Sequence, residues 1–77
     1  MIKAYILIVA NPGETKSVFD ALAGIKGVKQ AHQVMGPYDI VAEIEVEDLA
    51  DIPPILSDHI RTINGVENTT SLVTFPD

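Results

Sequence analysis

The sequence predicts an α+β fold in the order βαββαβ, and three observations predict it. The chain repeats itself: Ile25-Lys26-Gly27-Val28 returns as Ile63-Asn64-Gly65-Val66, 38 residues later in a chain of 77. A repeat of half the length marks two similar units. Apolar residues alternate with period two over 2–10 and 40–46, as in a strand with one covered face. Val18, Leu22 and Ile25, and again Leu56, Ile60 and Ile63, recur at three- and four-residue steps, as on an amphipathic helix.

The first strand carries Ile2, Ala4, Ile6 and Ile8, which the repeat superposes on Ile40, Ala42, Ile44 and Val46 of the third. Asn11-Pro12-Gly13 opens the first helix, expected over about 14–24, and Gly24 and Gly27 close it. A second strand follows, and its Val34 superposes on Leu72 of the fourth. Gly36-Pro37 makes the short turn into the third strand. The second helix contains Pro53 and Pro54, which fit its first turn if Asp51 caps it, because backbone donors there have no intrahelical partner. The Ile-x-Gly-Val stop then leads into the fourth strand. This order is a ferredoxin-like plait in a single domain, 1–77. Right-handed crossovers place both helices on one face of a four-stranded antiparallel sheet, with the first and third strands central.

So short a chain hides only about 60 to 65% of its unfolded surface. Yet 47% of its residues are apolar and its mean hydropathy is +0.24, more grease than its own core can use. Five basic residues stand against eleven acidic ones, a net charge of −6, so a phosphate backbone is repelled and direct nucleic-acid binding is not expected. No cysteine is present, which removes disulfides, thiolate nucleophiles and CxxC metal sites. Residues 2–10 are too few to span a membrane and carry no signal-peptide cleavage pattern. The expected location is the cytoplasm.

Strand parity assigns Tyr5, Leu7, Val9 and Val41, with Glu43, Glu45 and Glu47, to the sheet face that has no helix. Unbroken alternation in the fourth strand adds Thr69, Ser71, Val73 and Phe75. The apolar members, Tyr5, Leu7, Val9, Val41 and Val73, form a patch whose simplest cover is a second copy stacked sheet to sheet in a twofold dimer. The glutamates then lie toward the rim of the sandwich, with Lys3 pairing one of them, or they form a shared acidic site for a cationic ligand or a hard metal such as magnesium or calcium.

Neither His32 nor His59 has a second histidine nearby in sequence. There is no nucleophile elbow and no phosphate-loop glycine run. No catalytic site, resident metal or cofactor is expected. Met35 and Phe75 read as core or interface filler. The turn Gly36-Pro37-Tyr38-Asp39 has a structural justification, since Gly36 can take positive φ and Asp39 can bond nearby backbone. Turn chemistry does not require Tyr38, however. An aromatic beside a carboxylate can hold a small zwitterion, with Asp39 taking the ammonium and Tyr38 the apolar flank.

The stretches AYILIVANPG, LAGIKGVKQAHQVMGPYDIVAEIEVEDL and IRTINGVENTTSLV resemble the effector-binding (RAM) domain of the Lrp/AsnC family of feast/famine regulators, over residues 2–73. The resemblance implies a fold that dimerises through its sheets, dimers that assemble into higher rings such as octamers, and amino acids bound where dimers meet. It transfers an effector role to Gly36, Tyr38 and Asp39, and by position to Leu49, Thr69, Ser71 and Leu72. Pro37 stands at a place often polar in the family, and Ser71 where threonine is common. Full regulators carry an N-terminal helix-turn-helix, whereas this chain starts at its first strand. It therefore resembles the stand-alone members, which are expected to bind amino acids or to join full-length regulators. The alternatives are a small dimeric enzyme of the monooxygenase type and a scaffold whose turn binds nothing.

Overall fold

The computed structural model describes residues 1–75. β1 (Ile2–Ala10), α1 (Thr15–Leu22), β2 (Val28–Gln33), β3 (Ile40–Val46), a second helical segment over 49–60 and β4 (Val66–Val73) follow in the expected order. The strands form one antiparallel sheet in the order β2-β3-β1-β4, with β1 and β3 central. This is the ferredoxin-like plait. β1 and β3 run antiparallel from Ile2↔Val46 to Ile8↔Ile40. Their alternation therefore puts Ala4, Ile6, Ile8, Ile40, Ala42 and Ile44 on one face, all fully buried under the helices.

α1 contributes Val18 and Leu22 to this core, with Phe19 and Ile25 packed beside them. It ends earlier than the expected 14–24, because Gly24 and Ile25 donate backbone bonds to Ala21 and Leu22, a tighter i−3 pattern that unwinds the helix before Ile25. The second segment departs further from expectation. It starts with a 3₁₀ turn (Leu49–Asp51) capped at Asp48; Asp51 stands at the N-cap position of the α turn that follows, as expected, but its side chain makes no capping bond there. Instead its carboxylate reaches back 3.2 Å to the Asp48 N–H. Pro53 and Pro54 fall in the single α turn Ile52–Pro54, and a π-helical run, Ile55–Ile60, follows. Ser57 and Thr62 hydroxyls donate to the carbonyls of Pro53 and Asp58, competing with backbone N–H groups for i−4 acceptors in the widened stretch. Ile52 and Ile60 still reach the core.

The fourth strand corrects an expectation. Its register against β1 pairs Val73 with Ala4, Ser71 with Ile6 and Thr69 with Ile8, so these three lie on the helix-covered side. Thr70, opposite Leu7, and Leu72, opposite Tyr5, occupy the open face instead. A register shift between Val9 and Ala10 takes the pairing from Asn68 to Val66 and leaves Glu67 over. One extra residue inverts every side chain beyond it, which simple alternation from Val66 does not anticipate. Val73 is thus not part of the open sheet face, and neither is Phe75, which lies past the strand beside Val73. β2 carries the equivalent shift between Val28 and Gln30, which puts Gln30 and His32 on the open face opposite Glu43 and Val41. No helix among the described residues is long and apolar enough to cross a membrane.

Candidate functional site

The open face carries Tyr5, Leu7, Val9 and Val41, all only half-buried within one chain. Leu7 lies between Val41 on β3 and Thr70 on β4; Tyr5 lies between Glu43 and Leu72. Lys3 approaches Glu43 at 3.9 Å, and Lys29, beside the shift in β2, pairs with Glu45 at 3.0 Å. Glu43 keeps only 12% of its side-chain exposure and Glu45 20%, so both carboxylates are already screened from water with one lysine each. Among the described residues no group of three or more His, Cys, Asp or Glu side chains is arranged to hold a metal ion.

At one end of this face stands the turn between β2 and β3. Gly36 takes φ +142°, outside the range that side-chain-bearing residues favour. The Val34 N–H donates to the Asp39 carbonyl at 2.9 Å, closing the turn, and the Asp39 N–H donates to Ile8 O at 2.9 Å. The Asp39 carboxylate accepts the Ala10 N–H on Oδ2 at 2.8 Å. The Tyr38 hydroxyl donates to Thr70 Oγ1 over a long 3.4 Å. Because β1 separates β3 from β4, that contact crosses β1 on the open side and holds Tyr38 against the sheet. Asp39 has no ion-pair partner among the described residues. It thus combines an anchored backbone, one engaged oxygen and an uncompensated negative charge. Such a group can receive an ammonium ion while an aromatic ring lines the approach.

The other candidate residues divide among three places. Thr69 pairs with Ile8 near the turn, though on the helix side, and Ser71 pairs with Ile6 on that side too. Leu72 is on the open face and 52% exposed. Leu49 lies beyond the far end of β3, where it lines an apolar pocket of about 440 Å³ with Ile2, Val73, Thr74 and Phe75. The turn and Leu49 therefore do not meet within one chain. Thr70, the partner of Tyr38, escaped the sequence because its facing depends on the position of the bulge. The pocket escaped it because its walls come from three separated segments. His32 sits on the open side of β2, and His59 lines a separate groove of about 460 Å³ with Lys26, Glu45, Glu47 and Asp51.

Comparison with known proteins agrees with this architecture. A family model described as the Lrp/AsnC ligand binding domain matches residues 3–76. An uncharacterized HTH-type transcriptional regulator of Pyrococcus horikoshii is 32% identical over 75 residues, covering 94% of this chain and 50% of the regulator. The chain thus spans about half the length of such relatives. A homocitrate synthase of Sulfurisphaera tokodaii is 38% identical over 60 residues, which are 77% of this chain and 13% of that enzyme. Among solved structures, TTHA0845 from Thermus thermophilus superposes with a TM-score of 0.95 at 30% identity, covering all of this chain and 96% of that one. The regulator NMB0573 of Neisseria meningitidis, solved as an L-Met complex, has a TM-score of 0.86 at 14% identity over 99% of this chain and 51% of its own, and shares the fold.

Proposed function

This chain belongs to the Lrp/AsnC ligand-binding-domain family, and from that premise we propose that it is an amino-acid effector-binding and oligomerising module that takes part in transcription regulation through protein partners. The observation that carries the reading is the turn. Asp39 is fixed by three hydrogen bonds to its own chain, retains an unpaired charge, and stands beside a Tyr38 that leans over the open sheet. That combination suits the ammonium and the side chain of a small amino acid. The L-Met complex of a protein with the same fold supports the ligand class. The half-buried apolar face of Tyr5, Leu7, Val9 and Val41 supports a sheet-to-sheet homodimer, and dimers that join further build a ring such as an octamer.

Effector bound at a seam between dimers favours one assembly by the difference in its affinity for the alternatives, about 1–3 kcal/mol in typical allosteric systems. Full-length regulators of the same family are the natural partners, and the cytoplasm is the compartment where they meet. The segment shared with homocitrate synthase is too small a part of that enzyme to carry a catalytic assignment.

Calorimetry with each standard amino acid tests the proposal, on the wild type and on Asp39→Asn. Asn keeps an acceptor for the Ala10 N–H and removes only the charge. One or more amino acids should bind, with affinity about tenfold lower in the variant, equivalent to about 1.4 kcal/mol. Absence of binding by every amino acid at millimolar concentration overturns the reading.

A further inference from the structure

β4 is an edge strand: its inner side pairs with β1, and no described residue pairs with its outer side. The Thr74 N–H donates to Lys3 O at 3.0 Å, which fixes the phase of the ladder. Antiparallel pairs alternate between bonded and non-bonded, so Leu72 and Thr70 also direct their backbone groups at β1, opposite Tyr5 and Leu7. Thr69, Ser71 and Val73 therefore turn their N–H and C=O groups outward. They form a row of donors and acceptors at two-residue spacing.

Natural sheet edges are guarded by charges, prolines or bulges. β2, the other edge, follows this rule with Lys29, His32 and the register shift between Val28 and Gln30. β4 does not. From Asn68 to Phe75 the chain has no charged residue and no proline, and the register shift in its pairing lies before Asn68. Its last residues are open on both faces, with Leu72 52% exposed on one and Val73 43% on the other. At its end Val73 and Phe75 wall the apolar pocket of about 440 Å³ with Ile2 and Leu49. An added strand thus finds backbone bonds along the edge and a recess for an apolar side chain.

Charge selects the occupant. Glu67 flanks the row at one end, Glu47 and Asp48 precede Leu49 at the other, and all three are exposed. The one cationic side chain in β1 and β4, Lys3, is already directed at Glu43. A net charge of −6 further disfavours an acidic partner, a second copy included. We propose that the outer edge of β4 takes an extended segment of a different protein as a fifth strand, with an apolar centre and basic flanks. Strand addition of this kind draws affinity from main-chain bonds and specificity from pockets for alternate side chains. The proposal rests on that part of the functional reading in which the chain acts through protein partners, and it names the surface they hold. The Asp39 site has no role in it.

The probe is a synthetic peptide, Lys-Lys-Val-Thr-Val-Leu-Val-Thr-Lys-Lys, either unmodified or N-methylated on one or the other alternating set of its central backbone nitrogens. Fluorescence anisotropy should show saturable binding of the unmodified peptide and of one methylated form. The other form should bind about tenfold or more weakly, because its methyl groups block the bonds that face β4. Ser71→Pro should cause a similar loss, since it deletes an outward donor and none that β1 uses. If that variant fails to fold, the two methylated peptides decide the matter on the wild type. Hydrogen exchange supplies a second readout: the amides of Thr69, Ser71 and Val73 should exchange fast in the free protein and slowly with peptide, while those of Thr70 and Leu72 stay slow throughout. No binding of the unmodified peptide, equal binding of the two methylated forms, or equally tight binding when glutamate replaces the flanking lysines overturns the proposal. So does protection of the three outward amides before any peptide is added, which gives the edge to a second copy. Peptide binding by a protein that binds no amino acid sinks the effector reading and leaves the edge site standing.

Discussion

The carboxylate of Asp39 accepts the backbone N–H of Ala10 at 2.8 Å, tying the turn before β3 to the last residue of the central strand β1. The same residue bonds Ile8 O through its own N–H and Val34 N through its carbonyl. Asp39 is therefore a latch as well as a candidate effector ligand, and substitutions there must separate the two roles.

Asp39→Ala should lower stability by about 1–3 kcal/mol, because it leaves a part-buried N–H unsatisfied. Asp39→Asn should stay much closer to the wild type. Urea melts compare them, and equal losses would show that the charge rather than the bond to Ala10 matters for folding.

Tyr38→Phe removes a hydroxyl whose contact with Thr70 is long, 3.4 Å. The stability cost should be under about 1 kcal/mol. A larger loss in thermal melts would mean that the contact is tighter in solution.

Leu7→Asp places a charge in the middle of the open face, between Val41 and Thr70. It should break the proposed sheet-to-sheet dimer and so shrink the particle, with native far-UV dichroism, since Leu7 contributes nothing to the helix-side core. Unchanged size by light scattering would contradict sheet-to-sheet packing.

Glu43→Gln should leave the proposed dimer as tight or tighter, whereas Lys3→Met should weaken it. The neutral amide avoids shutting a charge into the sandwich, while loss of Lys3 leaves the Glu43 carboxylate with no cation. Dimer dissociation measured at two salt concentrations checks the order, and a reversed order would place Glu43 in water.

Gly65→Ala should destabilise more than Gly27→Ala. Both glycines stand at positive φ, +104° and +99°, where a side chain costs about 1–3 kcal/mol. A Cβ at Gly65 also comes within 3.0 Å of Val18 Cγ2 and Glu14 Cβ, whereas at Gly27 it meets only the mobile end of Ile55 at 3.0 Å. Chemical denaturation of the pair decides it.

Much of this fold was legible because it depends on periodicity. Ile2 to Ile8 and Ile40 to Val46 alternate without interruption, and both strands lie in the sheet as alternation requires. The repeat located the helices, and Gly36 takes the positive φ expected of it. The misplaced residues of β4 share one cause. A bulge near Glu67 inserted one residue, so Thr69, Ser71 and Val73 turned toward the helices and Thr70 and Leu72 away. The second helical segment likewise took 3₁₀ and π geometry that neither its apolar spacing nor its prolines announce.

From its own letters the chain settled the order of its elements, the helix-covered faces of β1 and β3, and the surplus apolar face that no helix of its own covers. These follow from side-chain period and from local backbone preference, which act between near neighbours. Only the folded molecule decided which face β4 presents, that Tyr38 reaches Thr70, that Asp39 fastens Ala10, and that Leu49 stands a sheet's length from the turn. Those relations join residues distant in sequence, and a single added residue in one strand is enough to change them.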